Sequence, residues 1–327
     1  MNLRNLSQNM SKYIHIIKKL LPFIFLSGFI FLIHNYYKNN KDDFSYIYNL
    51  KIEYLSIFIL LCLFYLITET FILKGITKHF KKKIDNTNGF LVICGTYFCN
   101  TFLQFSGLGF RAYYLKKYFD IKVSDFIFIS IFFIYMELLV FSISGFCSIF
   151  IIDFFNKDVS LVREIKAILL LFSIVLILLF FIYEKIIYFI LNLLNLKNKN
   201  FFKNLLLFLN NSNNLNLRTS LKDVSIFYIV QFFILSMIFF LGYFILEKDN
   251  LLILSAIGST FTDFSFIFTF TPYAIGISET FLFVSNFNFE LKISEILFLT
   301  NIFRLSMFII YFPIGSIYLF KFLKNKR

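Results

Sequence analysis

The chain has 327 residues, 59% of them hydrophobic and 16% charged, with a mean hydropathy of +0.77 and a formal net charge of +13. A soluble domain carries about 25% charged residues, so the composition excludes an ordinary soluble protein, and three prolines with eleven glycines exclude a loop-rich β protein. The basic residues sit between apolar segments, where they orient the chain and meet anionic lipid, so the positive charge does not point to nucleic acid.

Eight apolar segments run near 20–37, 54–73, 88–106, 126–152, 167–183, 224–246, 251–270 and 296–320. Their residues are continuous rather than alternating, which argues for helices crossing ~30 Å of hydrocarbon and against a transmembrane barrel. The first lacks a small-residue cleavage site and reads as a retained helix rather than a signal peptide. It follows Arg4, Lys12, Lys18 and Lys19 with no acid, which places the N-terminus in the cytoplasm. The 38–53 connection is balanced in charge, and 74–87 is basic, with Lys74, Lys78, Lys81, Lys82 and Lys83 against Asp85. The third segment is flanked by basic residues on both sides, since Arg111, Lys116, Lys117 and Lys122 follow it. A re-entrant hairpin resolves that conflict, and Gly95, Asn100, Thr101 and Gln104 suit a broken segment buried in protein.

The fourth segment exits to the balanced loop 153–166. The fifth returns to a basic stretch, 184–223, read as an amphipathic helix on the inner surface followed by the polar turn Asn210–Asn214. The sixth exits to Glu247, Lys248 and Asp249. The seventh carries Asp263, ends at Thr271-Pro272 and is followed by Glu290, Lys292 and Glu295, so it reads as a second re-entrant segment from the opposite face. The eighth returns to Lys321, Lys324, Lys326 and Arg327. The expected fold is an all-α polytopic integral membrane protein: a single transmembrane domain over 1–327, six full spans, two re-entrant broken segments, and both termini cytoplasmic in the cell membrane.

Two stretches match. Lys122-Val-Ser-Asp-Phe-Ile-Phe-Ile-Ser130 pairs with Lys292-Ile-Ser-Glu-Ile-Leu-Phe-Leu-Thr300. Each opens a long helix, with Ser124 or Ser294 as the candidate N-cap, and each is followed by a glycine at the same spacing, Gly145 or Gly315. The charge pattern runs the copies in opposite directions, as in an inverted repeat with halves 1–152 and 153–327. Coincidence between two compositionally biased helices is the competing reading.

Ionisable groups inside hydrocarbon cost at least ~2.5 kcal/mol each, so each needs a reason. Glu69, near a helix end, can reach the interface; Glu137 lies mid-helix and Asp263 in a broken segment. Arg304 demands a carboxylate, water or lipid phosphate, and Glu279 follows the Thr271, Pro272, Gly276 turn. Substrate contact and a buried structural ion pair are both open for these two. Gly107-Leu-Gly109-Phe-Arg111 permits close backbone approach, and Arg111 reads either as a two-point phosphate grip or as an interfacial positive-inside residue. Four cysteines without a C-x-x-C and three histidines give no expected metal site, disulfide or cofactor.

With these motifs the chain resembles the lysylphosphatidylglycerol synthase transmembrane-region family. The likeness rests on Gly107 to Arg111 with the helix through Glu137 and Gly145, and on Thr271-Pro272, Gly276 and Glu279 with the helix carrying Arg304. The family's second motif has paired glycines where Tyr273 and Ala274 stand, and an arginine where Ser278 stands. Its first has an acid at Leu108, and a Glu-Arg pair at Phe133-Ile134. The resemblance implies moving or presenting polar or anionic lipids, with membrane lipids as partners. It does not imply aminoacyl transfer, which belongs to a soluble C-terminal domain in the family, and no enzymatic activity is expected. The expected function is a flippase-like lipid translocase, with headgroups passing a crevice touched by Arg111, Glu279 and Arg304. The alternatives are a non-catalytic membrane partner of a lipid or glycan synthase, and an enzyme on a lipid-linked substrate using Glu279 and Asp263.

Overall fold

The computed structural model describes residues 50–102, 105–155, 164–178, 215–267, 274–285, 289 and 291–324, with 31, 34, 35, 37 and 38 as isolated positions. Most of the first apolar segment, Gln104, the 184–214 stretch with its polar turn, Thr271 and Pro272 lie outside the described residues. Everything regular among the described residues is helical. The elements are α1 (Ile52–His79), α2 (Asn86–Phe102), α3 (Ser106–Phe119) and α4 (Val123–Phe155). They continue with α5 (164–178), α6 (Leu215–Ile245), α7 (Leu251–Ile267), α8 (Ile277–Ser285) and α9 (Ile293–Lys324).

Four of these are long and apolar enough to cross a membrane: Ile52–His79, Phe133–Phe154, Lys222–Ile245 and Ile293–Phe322. Large apolar side chains such as Leu60, Phe64, Phe154, Leu171 and Phe320 face outward, as lipid-covered surface requires and a soluble surface would not tolerate. Inside, Phe58, Leu66, Phe141, Phe232 and Tyr243 are fully enclosed.

The first re-entrant segment is two helices. α2 and α3 pack as an antiparallel hairpin broken at Phe105, which holds a left-handed φ of 63°. Asp85 starts α2, accepting hydrogen bonds from the Asn88 backbone N–H at 3.1 Å and side-chain amide at 2.7 Å. These bonds hold the exposed Asp85 carboxyl below its ordinary value of 3.8. The hairpin is closed tightly because Gly107 leaves room for the Thr96 carbonyl.

Ring contacts fix its direction. Phe110 lies against Tyr318 and Tyr113 against Phe322, and Lys117 sits 4.8 Å over the Phe322 ring. Both ends of the hairpin therefore open at the C-terminal end of α9, where Lys78 at the end of α1 also pairs with Asp223 near the start of α6. The second hairpin, α7 and α8, opens at the opposite end. Lys248, just before α7, pairs at 2.7 Å with Glu295 in the first turn of α9. Asp153 and Lys166 pair across the connection from α4 to α5.

The matched stretches mark equivalent positions: α4 starts at Val123 and α9 at Ile293, each one residue after its matched lysine, and the two helices run in opposite directions. Ser124 and Ser294 are thus the second helical residues rather than caps, a correction to the expected N-caps. At α9 the start is instead secured by Glu295, which accepts a 2.8 Å bond from the Lys292 N–H. The paired glycines have paired uses. A Cβ at Gly145 would meet Thr260 of α7, and one at Gly315 would meet the Cys94 carbonyl of α2. Each long helix thus packs on the first hairpin helix of the other unit.

Candidate functional site

Where the two hairpins meet, the body encloses a cavity of about 250 Å³. Its polar wall is built from six elements. α1 supplies Tyr65 and Glu69, α2 supplies Thr96, Tyr97 and Asn100, α3 supplies Arg111, and α4 supplies Ser130 and Glu137. Tyr228 of α6 and Asp263 of α7 complete it, while Phe105 and Ala274 stand beside the hairpin breaks. Phe105 is 57% exposed, so it stands where the cavity meets the outside of the helical body.

Arg111 is held by the hairpin that carries it. Its Nε donates to Thr96 Oγ1 at 3.0 Å, and an Nη lies 3.4 Å from Glu69 Oε2. Gln231 donates to the other Glu69 oxygen at 3.0 Å. Asn100 accepts from the Gly107 N–H at 2.8 Å, satisfying one of the amides that open α3. Asp263 is 2% exposed, and its buried Oδ2 has no hydrogen-bond partner.

Glu279 and Arg304 form a second cluster, which corrects the expected single crevice. They pair directly across α8 and α9 and do not line the cavity. Glu279 also accepts from Thr300 at 3.0 Å, Ser278 at 3.0 Å and the Gly276 N–H at 2.8 Å. Arg304 donates to Ser278 Oγ and, at 3.3 Å, to the Ala274 carbonyl. Gly276 takes a φ of 84°, which only glycine adopts cheaply. This cluster fastens the second hairpin to α9 and touches the cavity wall through Ala274. Of the residues singled out from sequence, Arg111, Glu137 and Asp263 meet in one cavity and Gly107 braces it from behind. At Gly109 a Cβ would meet nothing within 4 Å. The apolar segment ending at 73 puts Glu69 near a helix end, and the structure corrects this. α1 continues to His79, which puts Glu69 well inside the span. The signal available was Ile76, which lies past that end and is buried on α1.

A family model described as the lysylphosphatidylglycerol synthase TM region matches residues 20–315. The chain belongs to this family. No curated protein and no solved structure matches the chain. The family is a membrane domain with a lipid-related, flippase-like association, and the matched range contains both hairpins, the cavity and the Glu279–Arg304 cluster. Leu108, Phe133 and Ile134 also line the cavity.

Proposed function

We propose that the protein moves a lipid with a polar headgroup across the cell membrane, the headgroup passing through the cavity while the acyl tails stay in the bilayer. One observation carries this reading: a charged cavity lies between two hairpins that open at opposite ends of the helical body. Drug-sized ligand sites run from about 300 Å³ upward. A volume of about 250 Å³ suits a headgroup and not a whole lipid. The exposed Phe105 at its edge offers an apolar path for the tails.

Arg111 supports recognition of a phosphate, because a guanidinium carries five donors and, among the described residues, two of its nitrogens are taken up by Thr96 and Glu69. The two hairpin-and-long-helix units act as inverted halves, swinging about the crossed contacts at Gly145 and Gly315. Such movement breaks no covalent bond, so the reading needs no catalytic group. The basic end, with Lys117 and Lys321, faces the cytoplasm in this reading.

The test is movement of fluorescent anionic, zwitterionic and aminoacylated lipids in liposomes holding the purified protein. Protein-dependent movement that falls at least tenfold in Arg111→Gln supports the reading. Absence of movement across the panel, with the protein shown to be folded, sinks it and favours a partner of a membrane synthase.

A further inference from the structure

The charges on the cavity wall do not balance. Glu69, Glu137 and Asp263 face it, with Arg111 as the only lysine or arginine in its lining among the described residues. The geometry then divides them. Arg111 reaches Glu69, and Gln231 binds the other oxygen of that carboxylate, so Glu69 is the satisfied member. Glu137 and Asp263 form no ion pair among the described residues, and Asp263 Oδ2 is buried with no hydrogen-bond partner.

A buried carboxylate without compensation is expensive enough that it usually neutralises. Two kinds of counter-charge can do this. A metal ion needs several ligands converging on one point, and no group of three His, Cys, Asp or Glu is so gathered among the described residues. A proton needs one oxygen. The groups facing Asp263 also suit a proton. They are Glu69 and Tyr65 on α1, Tyr97 on α2, Arg111 on α3, Glu137 on α4 and Tyr228 on α6. On α8, Glu279 is already taken up by Arg304. No amine stands in that set to hold a second carboxylate in its charged form.

We propose that the cavity binds one proton on the Asp263–Glu137 pair and that this proton is the coupling ion of the lipid movement, an inference that rests on the function proposed above. A carboxylate oxygen accepts the proton from water while the cavity is open at one end of the body. The neutral acid returns it to water when the cavity opens at the other. On uptake a hydronium O–H bond breaks as the acid O–H forms, and on release the acid O–H breaks as hydronium forms on the other side, so the step needs no reactant beyond hydronium and water. Neutralising the pair removes the penalty that would otherwise resist closing the cavity around an empty site.

Two measurements on the full chain separate this idea from the function beneath it. Infrared difference spectra of the purified protein at neutral pH should contain the C=O stretch of a buried carboxylic acid. That band should be lost in Asp263→Asn or in Glu137→Gln, either variant serving if the other fails to fold. Liposomes with an imposed pH step should then show the steady-state lipid distribution shifting about tenfold per pH unit for one proton per lipid. Absence of the acid band in the wild type overturns the proton site, whether or not lipid moves. Lipid movement whose distribution ignores pH steps of either sign overturns the coupling and leaves the translocase standing. No lipid movement with the acid band present removes the translocase and with it the coupling, and retains only the proton site.

Discussion

Gly107 and Gly109 belong to one short motif, yet alanine should act on them in opposite directions. At Gly107 a Cβ would stand 2.4 Å from the Thr96 carbonyl oxygen, 2.6 Å from Thr96 Cγ2 and 2.8 Å from Asn100 Oδ1. The nearest obstacle is backbone inside α2, so the hairpin must open rather than a side chain turn. Forced overpacking costs up to about 3 kcal/mol. Opening the hairpin also stretches the 2.8 Å bond from the Gly107 N–H to Asn100, worth about 1 kcal/mol. Alanine regains about 1 kcal/mol of helix propensity, so the net loss for Gly107→Ala is about 3 kcal/mol. At Gly109 a Cβ meets nothing within 4 Å, and only the propensity gain of about 1 kcal/mol remains. The slow phase of a thiol-reactive dye follows unfolding, because Cys94 on α2 and Cys62 on α1 are buried whereas Cys147 is exposed and reacts at once. In detergent, Gly107→Ala should lower the unfolding midpoint and Gly109→Ala should raise it. Equal midpoints for the two variants would refute the close packing of α2 on α3.

Removing one partner of the Glu279–Arg304 pair, as in Arg304→Met, should cost about 3–5 kcal/mol because a buried carboxylate is left behind. The double variant with Glu279→Met should recover part of that loss, and additive losses in a double-mutant cycle would argue against the pair. Gly315→Ala should cost about 3 kcal/mol and Gly145→Ala about 1 kcal/mol, since the first meets the Cys94 carbonyl at 2.5 Å and the second a Thr260 side chain; the reverse order in a dye-monitored melt would contradict the crossed packing. Asp85 is held below 3.8 by its bonds from Asn88. Its lowered value means that its contribution is full above pH 3.8 and is lost as pH falls through the folded value. The acid limb of a stability profile should therefore flatten below pH 3.8 in Asp85→Asn, and an unchanged limb would count against the cap.

Much of the membrane architecture was legible because it depends on one-dimensional properties. Continuous apolar runs, and basic residues on both flanks of 88–106, were enough to require a chain that enters and leaves by the same face. The break at Phe105 is the three-dimensional form of that argument, and the Lys248–Glu295 pair marks the opposite end, where the second broken segment opens. The match of Lys122–Ser130 with Lys292–Thr300 likewise marked both helix starts to within two residues. The caps were misplaced because a serine near a helix start is a common cap, whereas Glu295 reaches back to the Lys292 N–H. That choice depends on side-chain geometry within a single turn.

The site was less legible than the fold. Arg111, Glu279 and Arg304 were each recognisable as charges that must be answered inside a membrane, but sequence cannot say which charge answers which. Arg304 is taken by Glu279, and Arg111 by Glu69, which lies 42 positions away in sequence. Composition and charge order by themselves determined that this chain is a helical membrane protein with two broken segments, because hydrocarbon penalises unpaired backbone and loop charge sets orientation. Only the packing of α1 against α2, α6 and α9 decided that Glu69 belongs to the cavity and Glu279 does not. A buried charge is committed to the partner within reach, and reach is a property of the folded body.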